Sequence, residues 1–420
     1  MKVATAFVIC LWVLSLPFYT YSVHGTLSVD NILAPVVAVF SILKLTFYSH
    51  EYGRGKFASI VVFLVLFGIY ATGKLLSVQG QPDLVKSVAV DCAKQFVYFI
   101  GPLCYFATYK EFRRMATTIN VATLFGTMSV FLVALGLLHL NLVRVSPSRL
   151  DIDLPKSIGL FANYGDLAML TSFSVVGSIV APVFKGKIAN MANVIAMLCL
   201  AVIGYLGAQS RNYLLTLVMC WVAYYAAKHI LKKNAAYATL AFLGAIAFSG
   251  LVTATLVVSQ VNVVGALRGW GGRQAAETAD ARLQQYTYAW GLIKSSPIIG
   301  KGADVVKTGV TIHNIWLNLM ATGGLMSTIP IVVLFILLFS YQFVFTRKRI
   351  GVAFGAYGCS ILFALFVASE FYESLSYTFW ILMGIVSAMP FMNADVRRTN
   401  EVKIPRNSIL RPGDWAVRSS

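Results

Sequence analysis

Long, continuous apolar runs recur along the chain, and this pattern restricts the possible folds more than any other feature. We count about twelve such runs, and each approaches the roughly 20 apolar residues that a helix needs to cross a bilayer. Apolar and polar residues do not alternate within the runs, which excludes transmembrane β-strands. The composition agrees, since 58% of the residues are hydrophobic and only 12% are charged. The sequence therefore predicts an all-α polytopic membrane protein with about 12 transmembrane helices.

The predicted spans divide the chain into four parts. Residues 1–258 form a membrane domain with the first nine spans, and residues 313–392 carry a histidine and the last three spans. Residues 259–312 form one long connection, and residues 393–420 form a basic tail whose composition is typical of disorder. The spans are predicted at Ala4–Tyr21, Asn31–Phe47, Phe57–Gly73, Ala93–Tyr109, Asn120–Leu140, Gly165–Val183, Ala189–Ala208, Asn212–Ala227, Ala235–Val258, Leu325–Phe345, Gly351–Ser369 and Ser376–Met392.

Basic residues are concentrated in alternate short connections, and they determine the predicted orientation. Lysine and arginine favour the cytoplasmic side of a membrane. With about twelve spans, all of these connections and the basic tail fall on one side, so both termini are predicted to be cytoplasmic. The long connection then faces outward. The basic connections contain Arg54 and Lys56; Lys110, Arg113 and Arg114; Lys185 and Lys187; Lys228, Lys232 and Lys233; and Arg347, Lys348 and Arg349.

The formal net charge of +18 follows from this topology. The charge therefore requires no nucleic-acid partner, and membrane lipids are the partners that it predicts. The six cysteines show no metal-ligand spacing. Asp151 and Asp153 lie close together in an outer loop, but a metal site needs several converging oxygen ligands. We expect these carboxylates to pair with nearby basic residues, and we predict neither a metal site nor a cofactor.

The long outward connection contains an amphipathic helix, predicted at Thr278–Lys294. Its apolar residues recur at helical spacing, so they share one face. Such a helix lies in the membrane interface with its polar face in water. The residues of the apolar face are Leu283, Tyr286, Trp290 and Ile293.

Two arginines lie before that helix, a third lies within it, and a glycine-rich turn follows it. Arg282 lies at the border of its apolar face, and Arg268 and Arg273 lie upstream among glycines. The turn Pro297–Gly302, which contains Lys301, ends the helix. Solvated arginines on an interfacial helix are one interpretation, and binding of an anionic group is the other.

Two further outer segments carry candidates for substrate contact. Gly159, Asn163 and Gly165 favour a bent entry into the sixth span, and such backbone is tolerated at membrane depth only where it lines a cavity or is buried. Arg211 lies in the tight turn between spans 7 and 8, against the charge bias of an outer connection. An ionisable group there indicates function, but an arginine can equally snorkel to lipid phosphates. Both interpretations of Arg211 stay open.

His313 closes the long connection at the edge of the tenth span. It is the only histidine in that connection, and the helix that follows has a packed face through Leu317, Met320 and Gly324. A histidine can accept and return a proton at neutral pH, which suits a general base. A hydrogen-bonded packing role is the ordinary alternative.

The sequence His313-Asn314-x-x-Leu317, separated by six residues from Gly324, resembles the signature of the O-antigen ligase/polymerase superfamily. In that family the motif also follows a long outer connection that ends in a Pro-x-x-Gly-x-Gly turn. The motif is short. The resemblance is more specific because the motif follows a Ser-Arg turn and a long amphipathic connection in the same order as in the family.

The arginines extend this resemblance over roughly residues 159–324. Arg211 is similar to the first conserved arginine of the family, and Arg282 is similar to the second. Arg268 and Arg273 stay open as alternatives for the second arginine. Outside this region, only the number of spans and the topology agree.

The resemblance implies a membrane glycosyltransferase with a fold similar to that of lipid-dependent, GT-C-like enzymes. Members transfer a glycan from an undecaprenyl-diphosphate carrier on the periplasmic face of the bacterial inner membrane. A ligase transfers it to a lipid A-core sugar, whereas a polymerase transfers it to another lipid-linked repeat, and the ligase branch resembles this chain best. The implied catalytic residues are His313, Arg211 and Arg282, and the implied substrate-binding residues are Arg268, Arg273, Asn314, Lys301 and Asn163.

The chemistry that these residues suggest is metal-independent and inverting. Arginines supply the counter-charge for a leaving diphosphate where no paired carboxylates hold a cation. A transporter or flippase with about twelve spans is a more distant alternative, but its halves would show a repeat that we do not find. The sequence predicts neither the donor glycan nor the acceptor sugar.

Overall fold

Helices dominate the structure, a computed structural model that describes residues 2–15, 22–24, 27–52, 55–138, 145–146, 156–157, 164–180, 186–208, 210–233, 283–369 and 376–393. Within these ranges, five helices are long and apolar enough to cross a membrane, and five shorter apolar helices accompany them. The chain is thus a helical membrane protein with several spans, as the sequence predicts. The ninth predicted span, residues 259–282 of the long connection and the tail from residue 394 onward lie outside the described residues.

The described helices follow the predicted spans in order, with additions in the long connection. They are α1 (Lys2–Ser15), α2 (Val29–Phe47), α3 (Lys56–Leu76), α4 (Pro82–Tyr105), α5 (Tyr109–Ala134), α6 (Tyr164–Val180), α7 (Lys187–Ala208), α8 (Arg211–Lys233), α9 (283–295), α10 (Gly302–Thr308), α11 (Ile315–Tyr341), α12 (Val352–Ser369) and α13 (Tyr377–Ala388). A π-helical turn, Gln342–Thr346, and a short helix, Arg347–Arg349, continue α11.

Short extended pieces occur in two connections. Strand β1 (Ser22–His24) pairs with β2 (Leu27–Ser28), and β3 (Val145–Ser146) pairs with β4 (Lys156–Ser157), both antiparallel. Each pair brings the two ends of its connection together, so neither strand pair contributes a layer to the bundle.

The boundary between α4 and α5 differs from the prediction. Helix α4 begins at Pro82, well before Ala93, because a proline is favoured in the first turn of a helix. Helix α5 begins at Tyr109 because Thr108 and Glu111 form a capping box, in which each side chain accepts from the other residue's backbone N–H. The basic residues from Lys110 onward therefore lie on the first turns of α5 and not in a loop.

Close helix contacts hold the bundle together. The most extensive pairs are α8 with α12, α3 with α11, α4 with α13 and α2 with α4. Small residues permit this proximity, as membrane helices require. Gly73 of α3 lies against Ser327 of α11, and Gly204 of α7 lies against Tyr213 of α8.

The basic end of the bundle, where Lys56, Lys110 and Arg347 lie, is tied together at the last carbonyls of α4. The carbonyls of residues 104–106 accept from the Tyr52 hydroxyl at 2.7 Å, from Lys44 Nζ at 2.6 Å and from Lys56 Nζ at 3.4 Å. Cations suit the negative end of a helix dipole. Burial raises the pKa of Tyr52 above its ordinary value, so its phenol stays a donor.

Glu111 completes this arrangement as the acid beside the buried cations. Its carboxylate pairs with Lys44 and also accepts from the backbone N–H groups of Ala107 and Thr108. Asn393 joins the same place, since its N–H donates to the Ala107 carbonyl at 2.8 Å. The ends of α2, α4, α5 and α13 are therefore connected through one buried ion pair and its hydrogen bonds.

We predict that Lys44→Met destabilises the protein by about 3 kcal/mol, because it leaves the largely buried Glu111 carboxylate without its cation. Lys110→Met, which removes an exposed cation from the same end, is expected to change stability by less than about 0.5 kcal/mol. Thermal denaturation of the detergent-purified proteins measures both. If Lys44→Met and Glu111→Gln have additive effects in the double variant, the pair is not coupled and this account is wrong.

Candidate functional site

Helix α11 breaks at Gly324, whose φ of 61° and ψ of −161° are not helical. Trp316 and Phe335 are 19 residues apart in the sequence, yet their ring centroids lie 5.8 Å from each other. In a continuous helix they would be about 28 Å apart. The first segment of α11, residues 315–323, therefore folds back along the second segment, residues 325–341.

The turn Pro297–Gly302 satisfies the backbone groups that the break leaves free. The carbonyls of Pro297 and Ile298 accept from the N–H groups of Leu325 and Met326, at 2.9 and 3.1 Å. The N–H of Lys301 donates to the Ala321 carbonyl at 2.7 Å. Freed backbone groups of a membrane helix must find partners inside the protein. The turn is therefore the structural condition for the break.

Two glycines make this contact possible. Gly324 and Gly300 both have positive φ, at 61° and 78°, a region that L-residues with a side chain rarely adopt. A Cβ atom on Gly324 would overlap the Ile298 carbonyl oxygen, and one on Gly300 would lie 2.6 Å from the Gly324 nitrogen. The Gly-x-Gly turn and the glycine after the histidine motif thus belong to one contact.

Asn314 starts the first segment of α11 as its N-cap. Its Oδ1 accepts from the backbone N–H of Leu317 at 3.0 Å, and its backbone is extended. This is the standard geometry of a helix N-cap. The spacing Asn-x-x-Leu therefore has a structural cause, and His313 stands immediately before the cap.

His313 lies beside the bundle and not beyond its end. It is partly buried between the buried residues Ile312 and Asn314, and Trp316 packs on Phe335. Phe335 is eleven residues, or about 16 Å of helix, past the Gly324 break. The sequence places His313 at the edge of a span, whereas the fold-back carries it along the span to this level.

Helix α9 supports the histidine segment. Ala289 and Ile293 of α9 pack with Ile312 and Ala321 in a small buried cluster. The predicted amphipathic helix is confirmed over residues 283–295, but its buried face differs, because Trp290 is 38% exposed. Ile312 and Ala321 pack on the face of α9 that carries Ala289. Ala289 is therefore buried, whereas Trp290 is exposed.

The other face of α9 borders an open groove of about 650 Å³. Its lining combines apolar side chains with amide and hydroxyl groups, a mixture that suits a glycan. The lining residues are Leu283, Gln284, Thr287, Tyr288, Gly291 and Leu292.

Helix α8 begins at Arg211 and is capped by Ser210. Ser210 is buried, and its Oγ accepts from the N–H of Tyr213 at 3.5 Å. A cation in the first turn opposes the helix dipole, so helix stability does not explain Arg211. The start of a helix combined with an arginine favours an anionic ligand.

Helix α12 packs antiparallel to α8. Cys220 of α8 lies beside Ser360 of α12, and Leu231 lies beside Gly355. Residue numbers therefore rise along α8 as they fall along α12.

The beginnings of α8 and α11 lie on the same side of both contacts. Arg211 is nine residues before Cys220, and Phe366 is six residues after Ser360. Trp316 packs on Phe366 with ring centroids 5.4 Å apart. The helix start with Arg211 and the helix start with His313 therefore lie toward the same end of the bundle.

Lys301 lies at the opposite end of the first α11 segment from His313. It pairs with Asp304 at 3.6 Å and is partly exposed. Arg268, Arg273, Arg282 and Asn163 lie outside the described residues, as does the Arg211 side chain. Among the described residues, no three His, Cys, Asp or Glu side chains are grouped as a metal site would require.

The fold adds residues that the sequence reasoning passed over, at the end of α3 and on α4. Lys74 of α3 lies beside Gly323, next to the Gly324 break. Tyr70, one turn earlier on α3, donates to Gln95 of α4, which donates to Asp91. Lys74 and Lys94 flank a predicted outer connection, against the usual bias of basic residues. That bias was the signal that could have indicated them.

No protein-family model matches this chain, and no curated protein matches it.

We predict that Gly324→Ala lowers stability by at least about 2 kcal/mol, because alanine is strained at this φ and overlaps the Ile298 carbonyl. Gly291→Ala on α9 is the matched control, since its Cβ would meet open space. We expect that control to be neutral or stabilising by up to about 1 kcal/mol. Thermal denaturation compares the two, and equal midpoints would contradict the proposed contact.

We also predict that Asn314→Ala costs about 1 kcal/mol through loss of the N-cap, whereas Asn314→Ser keeps an acceptor and most of the stability. Hydrogen exchange at the Leu317 amide tests this directly, since the amide loses its partner only in the alanine variant. Equal protection of Leu317 in both variants would show that Asn314 does not act as the cap.

Proposed function

We propose that this protein is a membrane glycosyltransferase that transfers a glycan from an undecaprenyl-diphosphate carrier to a lipid A-core sugar, as an O-antigen ligase does. The observation that carries the proposal is that two helix starts, one with Arg211 and one with His313, lie toward the same end of the bundle. A cation and a potential base are the groups that metal-independent cleavage of a sugar–diphosphate bond requires.

The remaining features of the proposal follow from the same sequence motifs. They are about twelve spans, a GT-C-like fold, a location in the bacterial inner membrane, both termini in the cytoplasm and an active site on the periplasmic face.

In the proposed reaction, an acceptor hydroxyl attacks the anomeric carbon of the donor sugar. The bond from that carbon to the diphosphate oxygen breaks, and its electron pair leaves with the diphosphate. His313 takes the proton of the attacking hydroxyl. Arg211 and Arg282 neutralise the charge that develops on the diphosphate, for which the bidentate guanidinium is suited. Direct attack inverts the anomeric centre.

Arg268, Arg273, Asn163 and the groups around the Asn314 cap complete the proposed substrate site. The buried Asn314 uses its Oδ1 to cap α11. We therefore assign it the task of holding His313 at the start of the helix. Lys301 lies beside the other end of the first α11 segment, so it does not share that task.

A transporter of an anionic substrate is the second candidate, and the broken helix α11 favours it. Interrupted helices whose ends face a binding site are common in secondary transporters. Ion-coupled flux through the purified protein in vesicles, without glycan transfer, would establish that alternative.

We predict that His313→Ala lowers glycan transfer by about 10²–10⁴-fold through loss of the general base. Arg211→Ala is expected to lower it by about 10²–10³-fold through loss of charge stabilisation. The assay uses purified protein, a lipid-linked donor and a lipid A-core acceptor. A chelator is expected to leave the unmutated enzyme active.

Two matched variants serve as controls. His229→Ala and Arg114→Ala remove the same side-chain types from exposed positions of α8 and α5, and both are expected to keep full activity. Full activity of His313→Ala or Arg211→Ala would refute the role of that residue, and loss with chelator alone would refute metal independence. In cells, loss of a ligase leaves unattached polymer on its carrier, whereas loss of a polymerase leaves single repeats on the core.

A further inference from the structure

A hydrogen-bonded network links α3 and α4 beside the Gly324 break. The Tyr70 hydroxyl donates to Gln95 Oε1 at 2.9 Å, and Gln95 Nε2 donates to Asp91 Oδ2 at 2.9 Å. Tyr70 and Gln95 are buried, and Asp91 is partly buried. The network holds the Asp91 carboxylate in one orientation. Such a network is more than the contact of two helices requires.

Lys74 stands between this network and the break. The Ser327 hydroxyl donates to the Tyr70 carbonyl at 3.1 Å, which brings the end of α3 against α11. A Cβ atom on Gly323 would lie 3.8 Å from Lys74 Cγ, so the lysine stem passes beside the last residue before the break. The charge of Lys74 acts on Asp91, but within the described ranges Lys74 forms no direct ion pair.

Lys301 flanks the same break from the other side. Its backbone N–H donates to the Ala321 carbonyl, and the next residue, Gly302, contacts Ser77 at the end of α3. Lys74 and Lys301 thus border one short stretch of α11. Asp304 pairs with Lys301 at 3.6 Å, with both side chains 40% or more exposed, so this pair leaves the lysine accessible.

An exposed apolar stripe runs from these lysines along the second segment of α11. Leu325 and Ile329 are one turn apart and are 38% and 51% exposed, and Leu76 at the end of α3 is 37% exposed. Cations at the head of an apolar stripe are the arrangement that binds a lipid with an anionic headgroup.

The separation from His313 excludes the reacting diphosphate as the ligand of these lysines. Nine residues of helix, about 13 Å, separate the start of α11 from the break. A diphosphate bonded to the transferred sugar has to lie beside the base that activates the attacking hydroxyl. A phosphate at the break therefore belongs to a different molecule from the donor.

We propose that Lys74 and Lys301 bind the phosphate headgroup of the acceptor glycolipid, with its acyl chains along Leu325 and Ile329, while its sugar reaches His313. This inference rests on the proposed function, because it assigns the second lipid of the same transfer reaction.

The test compares Lys74→Gln with Lys86→Gln, which removes an exposed lysine from α4 and serves as the control for net charge. In full-length protein, Lys74→Gln is expected to raise KM for the acceptor lipid about tenfold, with kcat and the donor KM nearly unchanged. Lys74→Arg is expected to restore the acceptor KM. Unchanged thermal midpoints exclude misfolding as the cause.

A binding measurement separates this inference from the proposed function. Native mass spectrometry of the full-length protein counts retained phosphatidic acid against phosphatidylcholine, and Lys74→Gln is expected to lower the retained phosphatidic acid severalfold while Lys86→Gln does not. Equal behaviour of the two variants in both assays overturns the inference while transfer by the unmutated enzyme still stands. Lys74-dependent retention without any transfer overturns the proposed function and keeps a lipid headgroup site. Displacement of the lipid by inorganic phosphate at equal concentration would overturn the assignment to a lipid.

Discussion

Backbone hydrogen bonds across the Gly324 break are the interactions on which the rest of the site depends. A membrane helix cannot leave its N–H and C=O groups unpaired, because lipid offers no partners. The turn Pro297–Gly302 supplies partners on both sides of the break, so α11 can reverse without that penalty. The reversal sets the level of His313, gives α9 a surface to pack on and exposes the region between Lys74 and Lys301.

At the opposite end of the bundle, side chains and not backbone groups supply the partners of the free carbonyls. There the free carbonyls belong to the end of α4, and Lys44, Tyr52 and Lys56 donate to them. Buried cations need a compensating charge, which Glu111 supplies. We assign this end the stable framework of the bundle. The broken end is where we expect a ligand to enter, because Lys74 and Lys301 border the break there.

The proposed chemistry uses the two ends of the first α11 segment for different tasks. At its start, His313 lies toward the same end of the bundle as Arg211, where a proton and a diphosphate charge would be handled together. At its end, about 13 Å of helix away, Lys74 and Lys301 would hold a second lipid. A rigid helix between the two sites would set the distance between the phosphate and the reacting hydroxyl of the acceptor. Binding energy at the remote site could then be used to orient the hydroxyl.

The sequence by itself determined the class of the protein, because long apolar runs have only one way to satisfy their backbone in a bilayer, as helices. It also indicated α9, since an amphipathic helix depends on residues close together along the chain. It did not predict the fold-back of α11, the early start of α4 or the exposure of Trp290. Those features depend on contacts between distant segments. Examples are the hydrogen bond between Pro297 and Leu325 and the contact between Lys74 and Gly323. Only the tertiary structure brings those residues together, because hydropathy records which residues avoid water but not which backbone groups pair across the fold.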